Sequence, residues 1–296
     1  MILPPCLQKG DTIGLAAPSW LATEQWAAPI AASLGTMGYR VKYARNLFSK
    51  SWGYAASPEE RADDLNELIR DESVRMIFLG GGEGADDVTD MLDYAAAKAS
   101  PKLWLSYSDG TSILNSVWAK AGIPVLYGQM PGIIPEISGY NLNQFMRFTA
   151  GLPSEHISNT PWHCLTPGTA HGTLIGGYLS NFIYLTATGR IPLDEDRRYV
   201  LFIEDHEKFF GIESESAHIG RLEQCGILSR TDGLLFGHYS TPVNEQLLER
   251  LRRLGEKWNI PVAYCDDFGH GENHAILPIG IPATLDTERG MLIYHG

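Results

Sequence analysis

Short apolar runs alternate with amphipathic stretches along most of the chain, and this alternation constrains the fold more than any other feature. It is the pattern of βα units feeding a mostly parallel sheet. Thr12 to Ala16 reads as a first strand, Thr23 to Met37 as a helix stopped by Gly38, and Val41 to Ala44 as a second strand. Ser57-Pro58-Glu59-Glu60 marks a helix start. Serine suits the cap, proline the first turn, and the glutamates oppose the positive end of the helix dipole. That helix runs to Asp71. Strands follow at Met76 to Leu79, Leu103 to Leu105 and Val125 to Tyr127, with helices at Asp86 to Lys98 and Thr111 to Ala121 between them.

From Pro131 to Gly172 the pattern weakens. Pro131, Pro135, Pro153, Pro161 and Pro167 punctuate it, and only Asn141 to Thr149 looks helical. A chain of 296 residues has length for two domains. The expected division is an N-terminal α/β domain over 1–150, a linker over 151–171 and a second domain over 172–296. In the second domain, strands are expected at Thr173 to Ile175, Tyr199 to Ile203, Gly233 to Phe236, Val262 to Tyr264, Ala283 to Leu285 and Met291 to Tyr294. Helices are expected at Leu179 to Thr186, Ser216 to Cys225 and Asn244 to Trp258.

Charge and cysteine usage exclude several classes. A net charge of −12 with no basic stripe disfavours a nucleic-acid partner. Cys6, Cys164, Cys225 and Cys265 are scattered, and without a Cys-x-x-Cys pair there is no zinc-ribbon or redox motif. The expectation is buried free thiols in a reducing compartment. The N-terminal residues lack the basic and apolar regions of a signal peptide, and no window approaches a membrane span. A cytoplasmic protein with no membrane partner is therefore expected.

Chemistry concentrates at strand ends. Leu103 to Thr111 reads as strand, tight turn and helix, with Ser106-Tyr107-Ser108-Asp109-Gly110 close to a nucleophile elbow. Backbone N–H groups at such a turn point toward one spot beside the helix N-terminus. The preceding turn carries Gly80-Gly81-Gly82-Glu83-Gly84. It formally fits a dinucleotide fingerprint, which would suit a nucleotide-dependent oxidoreductase. However, it does not follow the first strand, and no acidic residue ends the next one. A phosphate loop's Gly-Lys-Ser/Thr is also missing. An oxyanion hole beside Ser108 is the alternative use of the turn. Leu201 to Ile203 is an apolar run ending in Glu204 and Asp205, and His270 and His274 share a glycine-flanked loop. Glycine on both sides of His270 argues against a helical zinc motif and suggests a ring that needs a clear approach. No metal or cofactor is expected.

Taken in order, these segments resemble the LD-carboxypeptidases, serine peptidases that include muramoyl-tetrapeptide carboxypeptidases and microcin C immunity peptidases. The resemblance rests on Leu7-x-x-Gly10-Asp11-Thr12-Ile13 with Ala17-Pro18-Ser19, and on Ser57-Pro58-Glu59-Glu60-Arg61 with Asp63-Asp64-Leu65-Asn66. Further matches are Gly80 to Gly84, Tyr107-Ser108-Asp109, Leu174 to Ser180, Phe202-Ile203-Glu204-Asp205, Phe268-Gly269-His270 and Leu277 to Gly280. It implies a flavodoxin-like parallel-sheet N-terminal domain, a smaller β-rich α/β C-terminal domain and a site in the cleft between them. It implies a triad of Ser108, Glu204 and His270, acting on a small peptide or muropeptide to release a C-terminal D-amino acid. Glu207 competes with Glu204, and His274 with His270. The oxyanion hole falls at Gly82 and Asp109, with Gly81 and Glu83 beside the substrate. A homodimer is also implied. The chain departs from the family at Gly80 to Gly84, where Arg-Gly-Gly-Tyr-Gly is common, and at Phe210 to Ser216, where arginines are missing. A site acidified by Glu83, Glu213 and Glu215, favouring a cationic or amidated peptide, is one expectation. A microcin C-type acyl-sulfamoyl amidase and a non-catalytic small-ligand-binding protein are the alternatives.

Overall fold

The structure is a computed structural model that describes residues 2–19, 22–133, 139–191, 194 and 196–296. The chain divides into two compact units, Met1–Leu152 and Pro153–Gly296. Pro135, one of the prolines expected to break the pattern, lies outside the described residues. Among the described residues no helix is long and apolar enough to cross a membrane.

The first unit carries strands β1 (Thr12–Ala16), β2 (Arg40–Tyr43), β3 (Val74–Leu79), β4 (Leu103–Ser106) and β5 (Val125–Tyr127). Its helices are α1 (Glu24–Thr36), α2 (Pro58–Arg70), α3 (Tyr94–Ala99), α4 (Thr111–Ala121) and α5 (Gly139–Ala150). These strands are all parallel and run β2-β1-β3-β4-β5, the flavodoxin-like order. Strand β3 is fully buried from Met76 to Leu79, as a central parallel strand must be. Helix α2 starts where its sequence demands. Ser57 Oγ accepts from Glu60 N, and Glu60 returns a bond to Ser57 N at 2.9 Å. The helix expected over Asp86 to Lys98 is instead a 3-10 turn at Ala85–Val88 followed by α3. Asp93 interrupts it, because its carboxylate caps α3 by accepting from Ala96 N at 2.9 Å.

The second unit carries β6 (His163–Thr166), β7 (Thr169–Tyr178), β8 (Tyr199–Glu204), β9 (Thr231–Phe236), β10 (Val262–Tyr264), β11 (Leu277–Ile279), β12 (Pro282–Asp286) and β13 (Met291–Tyr294). Its helices are α6 (Leu179–Ala187), α7 (Ile212–Gln224) and α8 (Glu245–Trp258). Seven strands form one sheet in the order β13-β12-β7-β8-β9-β10-β6. Its centre, β7 to β10, is parallel; β12, β13 and β6 pair antiparallel at the edges. Most of the stretch 151–171, expected as a linker, is built into this unit. Strand β6 pairs with β10, and Asp267 gathers hydrogen bonds from Ser158, Asn159, Thr160 and Trp162.

Candidate active site

In the first unit, Ser106 at the end of β4 is in register with Tyr127, and Phe78 of β3 with Leu105. The glycine turn after β3 and the serine turn after β4 therefore leave the same sheet edge, where α/β proteins place their ligands. Ser108 opens a 3-10 turn that runs directly into α4. Its φ is +55°, in the left-handed region that a non-glycine residue enters at a cost. Tyr127, buried on β5, accepts from the Ser108 backbone N–H at 2.9 Å and steadies the bend. Gly110 closes the turn so tightly that a Cβ there would lie 1.9 Å from Ser106 Oγ. A Cβ on Gly81 would lie 3.7 Å from the Ser108 Cβ, so the glycine turn abuts the serine. Gly82 takes φ +130° and Gly84 φ +92°. Asp109 is buried and fastens the two turns together, its Oδ2 accepting from Ala85 N at 2.8 Å. Glu83 is exposed on the glycine turn.

Arg61 is a residue that the motif reading did not single out for the site. Its guanidinium is 1% exposed and donates to the carbonyls of Pro18 and of Gly84, the latter at 3.0 Å. It also pairs with Asp87 at 3.2 Å and lies over the Tyr54 ring. One buried cation from α2 thereby fixes the exit of β1 and the end of the glycine turn. The only hint in the sequence is its place in the Ser-Pro-Glu-Glu-Arg segment.

In the second unit, Glu204 ends β8 with no exposed surface, and its Oε2 lies 2.8 Å from His270 Nδ1. The carboxylate holds that nitrogen as the N–H donor and leaves Nε2 with the lone pair. Burial alone would lower the His270 pKa, but the charge and hydrogen bond of Glu204 prevail and raise it. Tyr178 and Phe209 wall the imidazole, with ring centroids 5.4 and 5.1 Å away. The glycines flanking His270 are required by close packing. A Cβ on Gly269, which takes φ +102°, would lie 2.9 Å from Glu204 Oε2. One on Gly271 would lie 2.6 Å from the His238 ring.

The competing residues sit elsewhere. Glu207 is exposed. His274 directs Nε2 to the Gly271 carbonyl at 3.1 Å, and burial pushes its pKa down to about 4. Of the acids expected to line the site, Glu213 is exposed, but Glu215 is wholly buried beside Asp205. Burial pushes both carboxyls up, helped for Glu215 by the charge of Asp205 and for Asp205 by the charge of Glu204.

The arrangement supplies a strained serine with adjacent backbone turns in one unit and an oriented, basic imidazole in the other. Comparison with known proteins identifies the family. Residues 13–128 match the LD-carboxypeptidase N-terminal domain and residues 171–285 the LD-carboxypeptidase C-terminal domain. The "Probable murein peptide carboxypeptidase" of Bacillus subtilis (strain 168) is 28% identical, over 96% of this chain and 91% of its own. The microcin C7 self-immunity protein MccF of Escherichia coli is 24% identical, over 96% and 93%. Among solved structures, an MccF-like protein from Bacillus anthracis str. Ames shares the fold with a TM-score of 0.89 at 22% identity, covering all of both chains. With both halves of the chain matched in order, the protein belongs to the LD-carboxypeptidase family.

Proposed function

We propose that the protein is a serine carboxypeptidase that hydrolyses an L,D amide bond and releases a C-terminal D-amino acid from muropeptide-like peptides. The observation that carries this reading is Ser108, held at φ +55° on a strand-to-helix turn. Backbone strain of this kind costs about 1–3 kcal/mol and is kept where it aims a reacting group. In the proposed reaction His270 Nε2 takes the proton from Ser108 Oγ as the oxygen attacks the scissile carbonyl. Glu204 holds the imidazole and stabilises the imidazolium. Backbone N–H groups near Gly82 and at Asp109 stabilise the oxyanion, with Gly81 and Glu83 beside the substrate. His270 then passes its proton to the leaving amine, and water releases the acyl group by the same steps in reverse.

The test is incubation with L,D-peptides that differ only in terminal charge, followed by mass spectrometry. Loss of one terminal D-amino acid by the native protein, and its absence with Ser108→Ala, is the expected result. Binding without turnover by the native protein would instead support a non-catalytic ligand-binding role. One feature favours a second reading, an acyl-sulfamoyl amidase. Phe209 is 49% exposed beside His270 and offers an aromatic face to a ring-bearing leaving group. An aminoacyl-sulfamoyl nucleoside in the same assay separates the two.

A further inference from the structure

Next to the proposed triad residue Glu204, the turn after β8 and the first two turns of α7 bring together Asp205, Glu215 and His218. One donor atom from each lies within 4.8 Å of the others, and all three residues are buried. Glu215 and His218 stand three apart on one helix face, the Glu-x-x-His spacing that bundle proteins use to hold metals. Asp205 Oδ2 lies 4.0 Å from His218 Nδ1. Both oxygens of Glu215, Asp205 Oδ2 and His218 Nδ1 have no hydrogen-bond partner. Glu215 itself has no exposed surface and is aimed into the group. A carboxyl withdrawn from water with both oxygens lacking a donor, as in Glu215, is costly unless something positive stands beside it.

The supporting contacts orient the donors inward. Asp205 Oδ1 is engaged, accepting from His206 N at 2.7 Å, which leaves Oδ2 facing the helix. Phe210 packs edge-on against His218, centroids 4.6 Å apart, and fixes the plane of its ring. A tetrahedral cation about 2.0–2.2 Å from each ligand sets ligand–ligand separations of roughly 3.3–3.6 Å, so the carboxylates must draw inward by about an ångström to close the set. Two oxygens and one imidazole nitrogen suit a divalent first-row transition ion rather than calcium or magnesium.

We propose that Asp205, Glu215 and His218 form a structural site for a divalent transition cation, zinc by its donor set, which ties the start of α7 to the end of β8. The site does not depend on the peptidase reading.

The test uses full-length, tag-free protein stripped with a chelator, then loaded with zinc chloride and passed through a desalting column. One zinc per chain by elemental analysis, with a melting temperature several degrees above that of the stripped protein, is expected. His218→Ala and Glu215→Gln should each lose the zinc and the thermal gain. His238→Ala, which removes a histidine outside the cluster, should keep both. If Glu215→Gln does not fold, His218→Ala decides, because His218 lies at the rim of the cluster. Folded native protein that takes up no stoichiometric zinc would overturn the proposal and leave a proton shared by the two carboxyls. Zinc retained by His218→Ala would overturn it equally.

Discussion

Ser108, the proposed nucleophile, carries left-handed backbone strain in the first unit. Its left-handed backbone is kept by Tyr127 from one side and by the Gly110 turn from the other. Ser108→Ala should lower turnover of L,D-peptides by roughly 10⁴-fold or more while the melting temperature stays close to native. Residual turnover near the native rate would remove the serine from the mechanism. For His270 the sign of the pH dependence follows from its raised pKa. A base must be neutral, so kcat/KM should fall on the acid side at a pH above the ordinary histidine value of about 6.5. A pH–rate profile checks this, and in Glu204→Gln the midpoint of the residual activity should move to lower pH. Gly269 is the third residue-scale case. An alanine there meets Glu204 and cannot relax at φ +102°. Gly269→Ala should therefore cost about 1–3 kcal/mol in urea unfolding and lose most activity, because the imidazole is pushed off its carboxylate.

Between elements, Arg61 is the clearest case of one side chain organising several. It reaches from α2 to Pro18 after β1 and to Gly84 after β3. Arg61→Met would retain packing bulk but leave those carbonyls without the cation. The expected loss is about 2–4 kcal/mol of stability, with a rise in KM as the glycine turn loosens. An unchanged KM in a destabilised protein would make the residue purely structural. The same element shows where sequence reading stops. The ends of β1, α4 and β5 were legible because prolines, glycines and a helix cap bound clean apolar runs. Strand β6 was not: His163-Cys164-Leu165-Thr166 lies between prolines and is largely exposed at its start. Strand β11 was missed because Pro278 sits in the middle of a three-residue run. Ser108, Glu204 and His270 each stand at a strand end or between glycines, but it is the family resemblance that proposes their roles. Arg61 and Asp267 act on partners 43 and about 107 residues away, and no local pattern encodes that.

For the whole molecule, the acidic composition makes the carboxylates that oppose acid unfolding worth identifying. Asp267 is the strongest candidate. It is fully buried and accepts from Ser158 Oγ, Asn159 N, Thr160 N and Oγ1, and Trp162 Nε1, with His156 Nε2 at 2.9 Å. Burial alone would raise its pKa, but the hydrogen bond and charge of His156 and the surrounding donors hold it well below the usual carboxylate range. A carboxylate depressed in the folded state contributes stability in full above its unfolded pKa of about 3.9. That contribution is lost as pH falls from there through the folded value. Asp267→Asn should thus lose about 3–5 kcal/mol near neutrality, since it removes a buried charge on which several donors converge. The variant should also show a shallower decline in stability than the native chain as pH falls below about 4 in urea titrations. Because Asp267 stands three residues before His270, the strap over 156–162 and the histidine loop share this anchor. Turnover should fall with the lost stability at pH 7, and an Asn variant that keeps the native acid dependence would refute the assignment.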